Sequence, residues 1–373
     1  MARKRKRSGD GINIPLDLIV EILQRLPAKY LARTRCVSKQ WRTIIDDYIV
    51  KNAVVTRSLS QPSPDAPHFI LDTLLDCGVV FSYTYSRQIR SERNQIVEKM
   101  FAMTATAREF QYVRGLIGFW SCTRGQFTLH NPTTRRSVPL PDTGIPPRRF
   151  YLFGYDPLRN QYKVACIARP TSEPEQSCKV FTLGDLGKEW RNIKCCIERH
   201  SSPFGTAVCI GGTIYYTATA ENQRNVIISF NVVSEMFSHV FQVPEKLNGR
   251  YGKSSLVNYL GKLGCICYNY LNNEDMDVWV MENAEKQEWS KTTHMAVLQG
   301  IPSSMCRFGV THPGGEIVIV PYFYYYLGSE GYYYNPNINS RRSFVIQSPR
   351  LGGTDLVRIW PVTDPVENIM SLM

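Results

Sequence analysis

Apolar residues recur three and four positions apart between residues 14 and 49, and at every second position in short runs beyond residue 68. The first spacing is that of helices with one buried stripe, and the second is that of half-buried strands. Leu16, Ile19, Val20, Leu23 and Leu26 fall on one helical face, and Leu18 and Ile22 widen it. Pro15 suits a first helical position, because its missing N–H would have no partner there. Asp17 and Glu21 lie towards the positive end of the helix dipole and Arg25 towards the negative end. Pro27 ends this helix and opens a second over residues 28–34. Ser38 predicts an N-cap for a third, whose apolar positions Trp41, Ile44, Ile45, Tyr48 and Ile49 fall at i, i+3, i+4, i+7 and i+8. Each large apolar side chain contributes about 1.5–3 kcal/mol when buried, and three short helices cover few by themselves. The stripe of the first helix therefore predicts a covering partner.

Three prolines and three serines within residues 56–67 sustain neither a helix nor a central strand and predict a linker. Beyond it, Phe81, Tyr83 and Tyr85 alternate with Ser82 and Thr84. Similar runs, each followed by a polar turn and another short strand, are anchored at Leu129, Phe181, Phe230, Trp279 and Tyr333. From Phe81 onward the intervals are 48, 52, 49, 49 and 54 residues. A period near that length, with several strands per unit, predicts a propeller. Glycine-marked hairpins lie between anchors, at Gly115, Gly211-Gly212, Gly261 and Gly314-Gly315. Six anchors give about six blades, with a two-sheet sandwich as the competing architecture. The fold class is thus mainly β, a short three-helix module followed by a β-propeller-like domain.

Two sets of residues carry a family resemblance. Ile14-Pro15-Leu16-Asp17-Leu18, Ile22-Leu23, Leu26-Pro27, Arg35-Cys36-Val37-Ser38-Lys39 and Trp41 resemble an F-box, with Ile14 where that family more often has Leu. Gly154-Tyr155-Asp156-Pro157 through Val164, shortly after Asn131-Pro132-Thr133-Thr134-Arg135, is similar to the F-box-associated domain of the large plant family, as is the ending Asp364-Pro365-Val366-Glu367-Asn368-Ile369-Met370-Ser371-Leu372. The resemblance implies a basic tail over 1–10, an F-box over 11–55, a linker over 56–67 and a kelch-related β-domain over 68–373. It implies a non-catalytic substrate receptor of a Skp–cullin–F-box ubiquitin ligase. The Skp adaptor would be contacted by Pro15, Leu16, Leu18, Ile22, Leu23 and Leu26, with cullin and RING protein reached through it. Trp41, Ile44 and Ile45 would hold the bundle together. The β-domain would recruit an unknown target protein. A helical cap on the β-domain is the purely structural alternative for the N-terminal module.

Composition narrows the remaining choices. Hydrophobic residues make 43% of the 373 and charged residues 20%, which is globular and not disordered. No apolar run reaches membrane-spanning length, so no membrane partner is expected. The eleven cysteines are odd in number and scattered through strand-like runs, which predicts buried thiols in a reducing compartment. Residues 3–7 supply five of the net +12 charge, a possible import signal for a nuclear or cytoplasmic protein, or else a solvated tail. The remaining excess is spread through turns, which leaves nucleic-acid binding by the tail a secondary idea.

No catalytic fingerprint, cofactor motif or metal-ligand spacing occurs. The six histidines are scattered, and Cys265 and Cys267 point the same way along one strand as two core thiols. Tyr322-Phe323-Tyr324-Tyr325-Tyr326 and Tyr332-Tyr333-Tyr334 are the most unusual composition in the β-domain. Strand alternation would turn half of these rings outward, where Tyr322, Tyr324 and Tyr326 could form a target face. Arg341 and Arg342, like Arg148-Arg149, could flank an acidic ligand. A carbohydrate or small-molecule receptor on the same ligase is the competing function, because propeller faces form concave aromatic pockets.

Overall fold

Pro15, Pro27 and Ser38 mark where the three N-terminal helices begin. α1 spans Leu16–Arg25, α2 Ala28–Thr34 and α3 Lys39–Asp46. Pro15 and Pro27 each stand one residue before their helix with extended backbone, at ψ 144° and 149°. Each proline is therefore the cap, not the first helical residue. The Pro15 carbonyl accepts the Ile19 N–H at 3.1 Å. Ser38 caps α3, its Oγ accepting the Trp41 N–H at 3.0 Å. Tyr48 and Ile49, expected on the last turn of α3, lie outside the described residues.

A computed structural model describes residues 14–46, 54–56, 68–73, 80–85, 97–102, 107–121, 125–146, 149–169, 176–184, 189–195, 197, 199–201, 203, 205–242, 252–269, 275–301, 306–312, 314–321, 323–324, 329–346, 357–363, 366, 368–370 and 372. The basic run at 3–7 and most of the Ser/Pro segment lie outside them.

The strands begin with β1 (His68–Thr73), β2 (Val80–Tyr85) and β3 (Val97–Ala102). Five four-stranded antiparallel sheets then follow one another along the chain. The first holds β4 (Ala107–Val113), β5 (Leu116–Ser121), β6 (Gln126–Asn131) and β7 (Arg136–Pro139). The second holds β8 (Arg149–Asp156), β9 (Gln161–Ala168), β10 (Cys178–Thr182) and β11 (Arg191–Ile193). The third holds β12 (Val208–Ile210), β13 (Thr213–Thr219), β14 (Asn225–Asn231) and β15 (Met236–Gln242). The fourth holds β16 (Gly252–Tyr259), β17 (Lys262–Asn269), β18 (Met276–Asn283) and β19 (Glu288–His294). The fifth holds β20 (Cys306–Val310), β21 (Ile317–Pro321), β23 (Ser329–Asn335) and β24 (Ser340–Ile346), with β22 (Phe323–Tyr324) set aside from it. β25 (Val357–Val362) lies between β1 and β22 in a three-stranded sheet.

The sequence anchors mark one structural position. Leu129, Phe181, Phe230, Trp279 and Tyr333 all lie on the third strand of their sheets. In four of the five sheets a five-residue turn follows that strand. An Asn side chain at its start accepts a backbone N–H two or three residues on, at Asn131, Asn231, Asn283 and Asn335. The fifth residue takes a positive φ: Arg135 59°, Glu235 59°, Gln287 53° and Asn339 47°. Such Asx turns are what a local side-chain acceptor dictates.

This is a propeller of five four-stranded blades, one fewer than the six anchors predict. The sixth anchor, Phe81, sits on β2, which pairs with β3 alone among the described residues. The ring closes through strands from opposite ends of the domain. β1 runs antiparallel to β25, from His68 against Val362 to Thr73 against Val357. Trp360 of β25 packs edge-on against Phe110 of the first blade at 4.7 Å, and Pro361 approaches Gly309 of the fifth. A sheet assembled from both ends leaves no local repeat to count.

The apolar core is divided into slabs between consecutive blades. One slab joins Leu129 and Phe127 to Tyr151 and Phe153, and the next joins Leu152 and Val180 to Tyr216 and Phe230. A third joins Ile227 and Phe241 to Leu256 and Cys265, and a fourth joins Ile266 and Val278 to Phe308 and Ile319. Middle strands are thus covered on both faces, so β6 and β9 are buried almost continuously instead of alternating.

Candidate functional site

α1 divides its apolar residues between two tasks. Ile19 and Leu23 turn into a cluster with Leu31, Ile45, Val54 and Ile369, while Leu26, Trp41 and Ile44 pack half-buried at its edge. Leu16, Leu18 and Ile22 instead remain 52%, 50% and 47% exposed. Leu18 and Ile22 are one turn apart and form a row on the side away from the cluster. Pro15, Ile14, Tyr30 and Val37 are exposed as well. The charged residues of α1 border this row, with Glu21 and Arg25 paired at 2.6 Å in solvent. Arg35 and Asp46 tie the end of α2 to the end of α3.

The expected adaptor set therefore separates. Pro15, Leu16, Leu18 and Ile22 lie at the surface. Leu23 does not: it is fully buried and belongs to the bundle core, and Leu26 is half-buried against that core. The helical stripe merges these groups because periodicity places residues on a face without saying how far the face extends. Of the three residues expected to hold the bundle together, Ile45 is fully buried in the core and Trp41 and Ile44 pack half-buried against it.

Ile369 comes from the chain's last described stretch, and that stretch straps the module to the propeller. The Asn368 N–H donates to Thr133 Oγ1 at 2.9 Å, and its side-chain amide donates to the Arg114 carbonyl at 3.0 Å and Tyr162 Oη at 2.7 Å. Asn131 Nδ2 donates to the carbonyls of Asn368 and Met370 at 2.9 and 3.0 Å. Leu372 returns to the slab between the first and second blades. Residues 368, 370 and 372 thus face the propeller, while Ile369 faces the helices.

The residues expected on a target face lie only partly among the described residues. Tyr322 and Tyr326 lie outside the described residues, and Tyr324 is in β22, whose backbone pairs Val357. Tyr332, Tyr333 and Tyr334 are all buried, contrary to the expected alternation, because neighbouring elements cover both faces of β23. Arg341 and Arg342, on the outermost strand, are occupied within the domain. Arg341 donates to the carbonyls of Val297 and Gln299 at 2.6 and 2.9 Å and stacks on Tyr332. Arg342 pairs with Glu316 at 2.7 Å and stacks on Tyr333. Arg148 is outside the described residues, and Arg149 is turned to Ile145, Asp142 and the ring of Trp120. Cys265 and Cys267 do point the same way, with sulfurs 3.7 Å apart in the core.

One buried ionic network stitches the second blade to the third. Lys163 Nζ lies 2.9 Å from the Val232 carbonyl, 3.0 Å from Glu235 and 3.4 Å from Asp156. Burial alone would raise the Asp156 carboxyl, but hydrogen bonds from Arg159, Lys163 and Leu158 outweigh it and hold the carboxyl below its ordinary value. The same balance, with Arg191 and Lys163 as donors, lowers Glu235.

A helical module with an exposed apolar row, strapped to a propeller, defines a two-part binding protein. The sequence profile of the F-box domain matches residues 12–52, and that of the F-box associated beta propeller domain matches residues 70–358. The chain belongs to the plant F-box proteins that carry an F-box associated beta propeller domain. It is similar to F-box protein At1g52495 of Arabidopsis thaliana, at 37% identity over 382 residues, covering 97% of this chain and 88% of that one. Putative F-box protein At5g50220 of the same plant is 35% identical over 384 residues, covering 99% and 94%. Among solved structures, the nidogen/laminin complex covers 79% of this chain and 98% of its own at 10% identity and TM-score 0.46. F-box and propeller together are the parts of a substrate-recognition subunit of Skp–cullin–F-box ubiquitin ligases.

Proposed function

We propose that Pro15, Leu16, Leu18 and Ile22 dock on a Skp-type adaptor and through it on a cullin and a RING protein, while the propeller recruits a target protein for ubiquitination. The observation that carries this is the exposure of Leu16, Leu18 and Ile22 beside a cluster that closes without them. Covering the exposed halves of three such side chains is worth roughly 2–4 kcal/mol. The chain itself performs no bond chemistry in this scheme. It raises the effective concentration of target lysines near a charged conjugating enzyme. The strap through Asn368 and Ile369 holds the two binding parts in register. Residues 3–7 act as an import signal, which deletion in a fluorescent fusion would test by loss of nuclear signal.

The deciding experiment is affinity purification of the full chain and of its Leu18→Asp, Ile22→Asp double variant. The adaptor and cullin are expected with the first and not with the second, whereas target proteins stay with both. Equal recovery of the adaptor, or none with either form, would overturn the proposal.

A further inference from the structure

Cys178 opens β10 in the second blade and stands opposite Ile193 of β11. Cys195 lies two residues past Ile193, where the chain leaves the outer strand for the third blade. The two side chains meet there. The Cys195 sulfur is hydrogen-bonded by the Cys178 thiol and by the Ile197 N–H. Cys178 is buried in the slab between the second and third blades, and its sulfur also reaches the Gln176 carbonyl at 3.5 Å. Cys195 packs half-buried at the edge of that slab. One thiol of the pair is thus open to solvent, and the other stands behind it.

The other described thiols are placed differently. Burial pushes Cys166 up to about 11 and Cys306 up to about 12, and it raises Cys209 as well. Cys265 and Cys267 touch at 3.7 Å, but both are buried, and the contact together with desolvation raises Cys265. At Cys195 the balance is reversed. The hydrogen bond from Cys178 outweighs desolvation and holds the thiol below its ordinary value. A sulfur that is partly exposed and more readily deprotonated is the one that attacks an oxidant, and a thiol in contact with it resolves the product.

We propose that Cys195 and Cys178 form a site of reversible oxidation by peroxides. The Cys195 thiolate attacks one peroxide oxygen and the O–O bond breaks, leaving Cys195 sulfenic acid and a hydroxide that takes up the proton Cys195 released. Cys178 sulfur then attacks the Cys195 sulfur, the S–O bond breaks, and the Cys178 proton leaves with the hydroxyl as water. Two thiols become one disulfide, and one peroxide becomes two waters. The bond ties the start of the connection to the third blade back onto β10. It forms at the strand ends away from the turns that hold the C-terminal strap, so this inference and adaptor docking can fail separately.

Peptide mapping of the full chain after hydrogen peroxide treatment tests this. Trypsin with a Glu-specific protease releases Cys178 on residues 176–179, apart from Cys166, and Cys195 on residues 195–198. Mass spectrometry is expected to show these two peptides joined and lacking two hydrogens, with dithiothreitol reversing the link. Cys195→Ser should abolish the link, and Cys178→Ser should leave Cys195 as a sulfenic acid trapped by dimedone. Near pH 7, iodoacetamide should alkylate Cys195 at least about tenfold faster than Cys166. Cys265 and Cys267 should stay reduced at the same peroxide dose. Absence of the link, a link that survives Cys195→Ser, or oxidation of Cys265 and Cys267 first would overturn the proposal. If a variant does not fold by thermal melt, the map of the unaltered chain decides.

Discussion

Asn131 Nδ2 donates to the Asn368 carbonyl at 2.9 Å across a separation of 237 residues. The pair joins the turn after the third strand of the first blade to the end of the chain. From there Ile369 reaches the helical core. Where the F-box stands relative to the propeller is thus decided by a few residues that belong to neither repeat nor bundle. Under the proposed function, in which the propeller presents a target to an enzyme, that placement matters as much as either surface.

Asn368 is 2% exposed, and its side chain serves three hydrogen bonds within the strap. Asn368→Ala leaves their buried partners unsatisfied, and about 2–3 kcal/mol of stability should be lost. Urea denaturation checks the magnitude. Limited proteolysis should also show earlier cleavage within residues 16–46. A loss under about 0.5 kcal/mol would mean that the strap holds nothing.

Leu23 and Ile22 are adjacent in sequence yet opposite in consequence. Leu23→Ala opens a cavity in the bundle core and should cost about 2–5 kcal/mol. Ile22→Asp and Leu18→Asp should leave the melting temperature nearly unchanged while abolishing adaptor binding by calorimetry. Reversal of that pattern, with stability lost at the surface and binding at Leu23, would place the adaptor on the other side of α1.

Lys163 is 4% exposed and sits between Asp156 and Glu235. Lys163→Met removes the buried cation that Asp156 and Glu235 share, leaving them Arg159 and Arg191 alone, and should cost roughly 3 kcal/mol at neutral pH. Both carboxyls are held below their ordinary values when folded, so their contribution is present above about pH 4 and disappears as pH falls through the folded values. Urea melts across pH 3–7 should therefore show the penalty of the variant shrinking in acid. A constant penalty over that range would exclude the network as its cause.

Burial holds His130 neutral, lowering its pKa to about 4 against a smaller opposing effect from a backbone hydrogen bond at Arg136. The unfolded chain takes up that proton below about pH 6.5 and the folded chain does not. Stability should fall by about 3 kcal/mol between pH 6.5 and 4 on this account. His130→Gln should flatten that slope, and the His130 ring proton should titrate near pH 4 by NMR. An unchanged slope would locate the acid sensitivity elsewhere.

Much of this molecule was legible along the chain because its repeats are local. The 3.6-residue stripe, the two prolines and Ser38 place three helices, since capping and periodicity act within a few residues. The recurring Asn turn and its anchors place the third strand of five blades for the same reason. The division of α1 into a buried Leu23 and an exposed Ile22 was not legible, because burial depends on what arrives from elsewhere: here Leu31, Ile45 and Ile369. Nor was the closing sheet of β1 with β25, whose partners lie at opposite ends of the domain. The order of elements and their turns is a matter of short-range sterics and hydrogen bonding. Which faces stay open was decided only when strands distant in sequence closed into a ring.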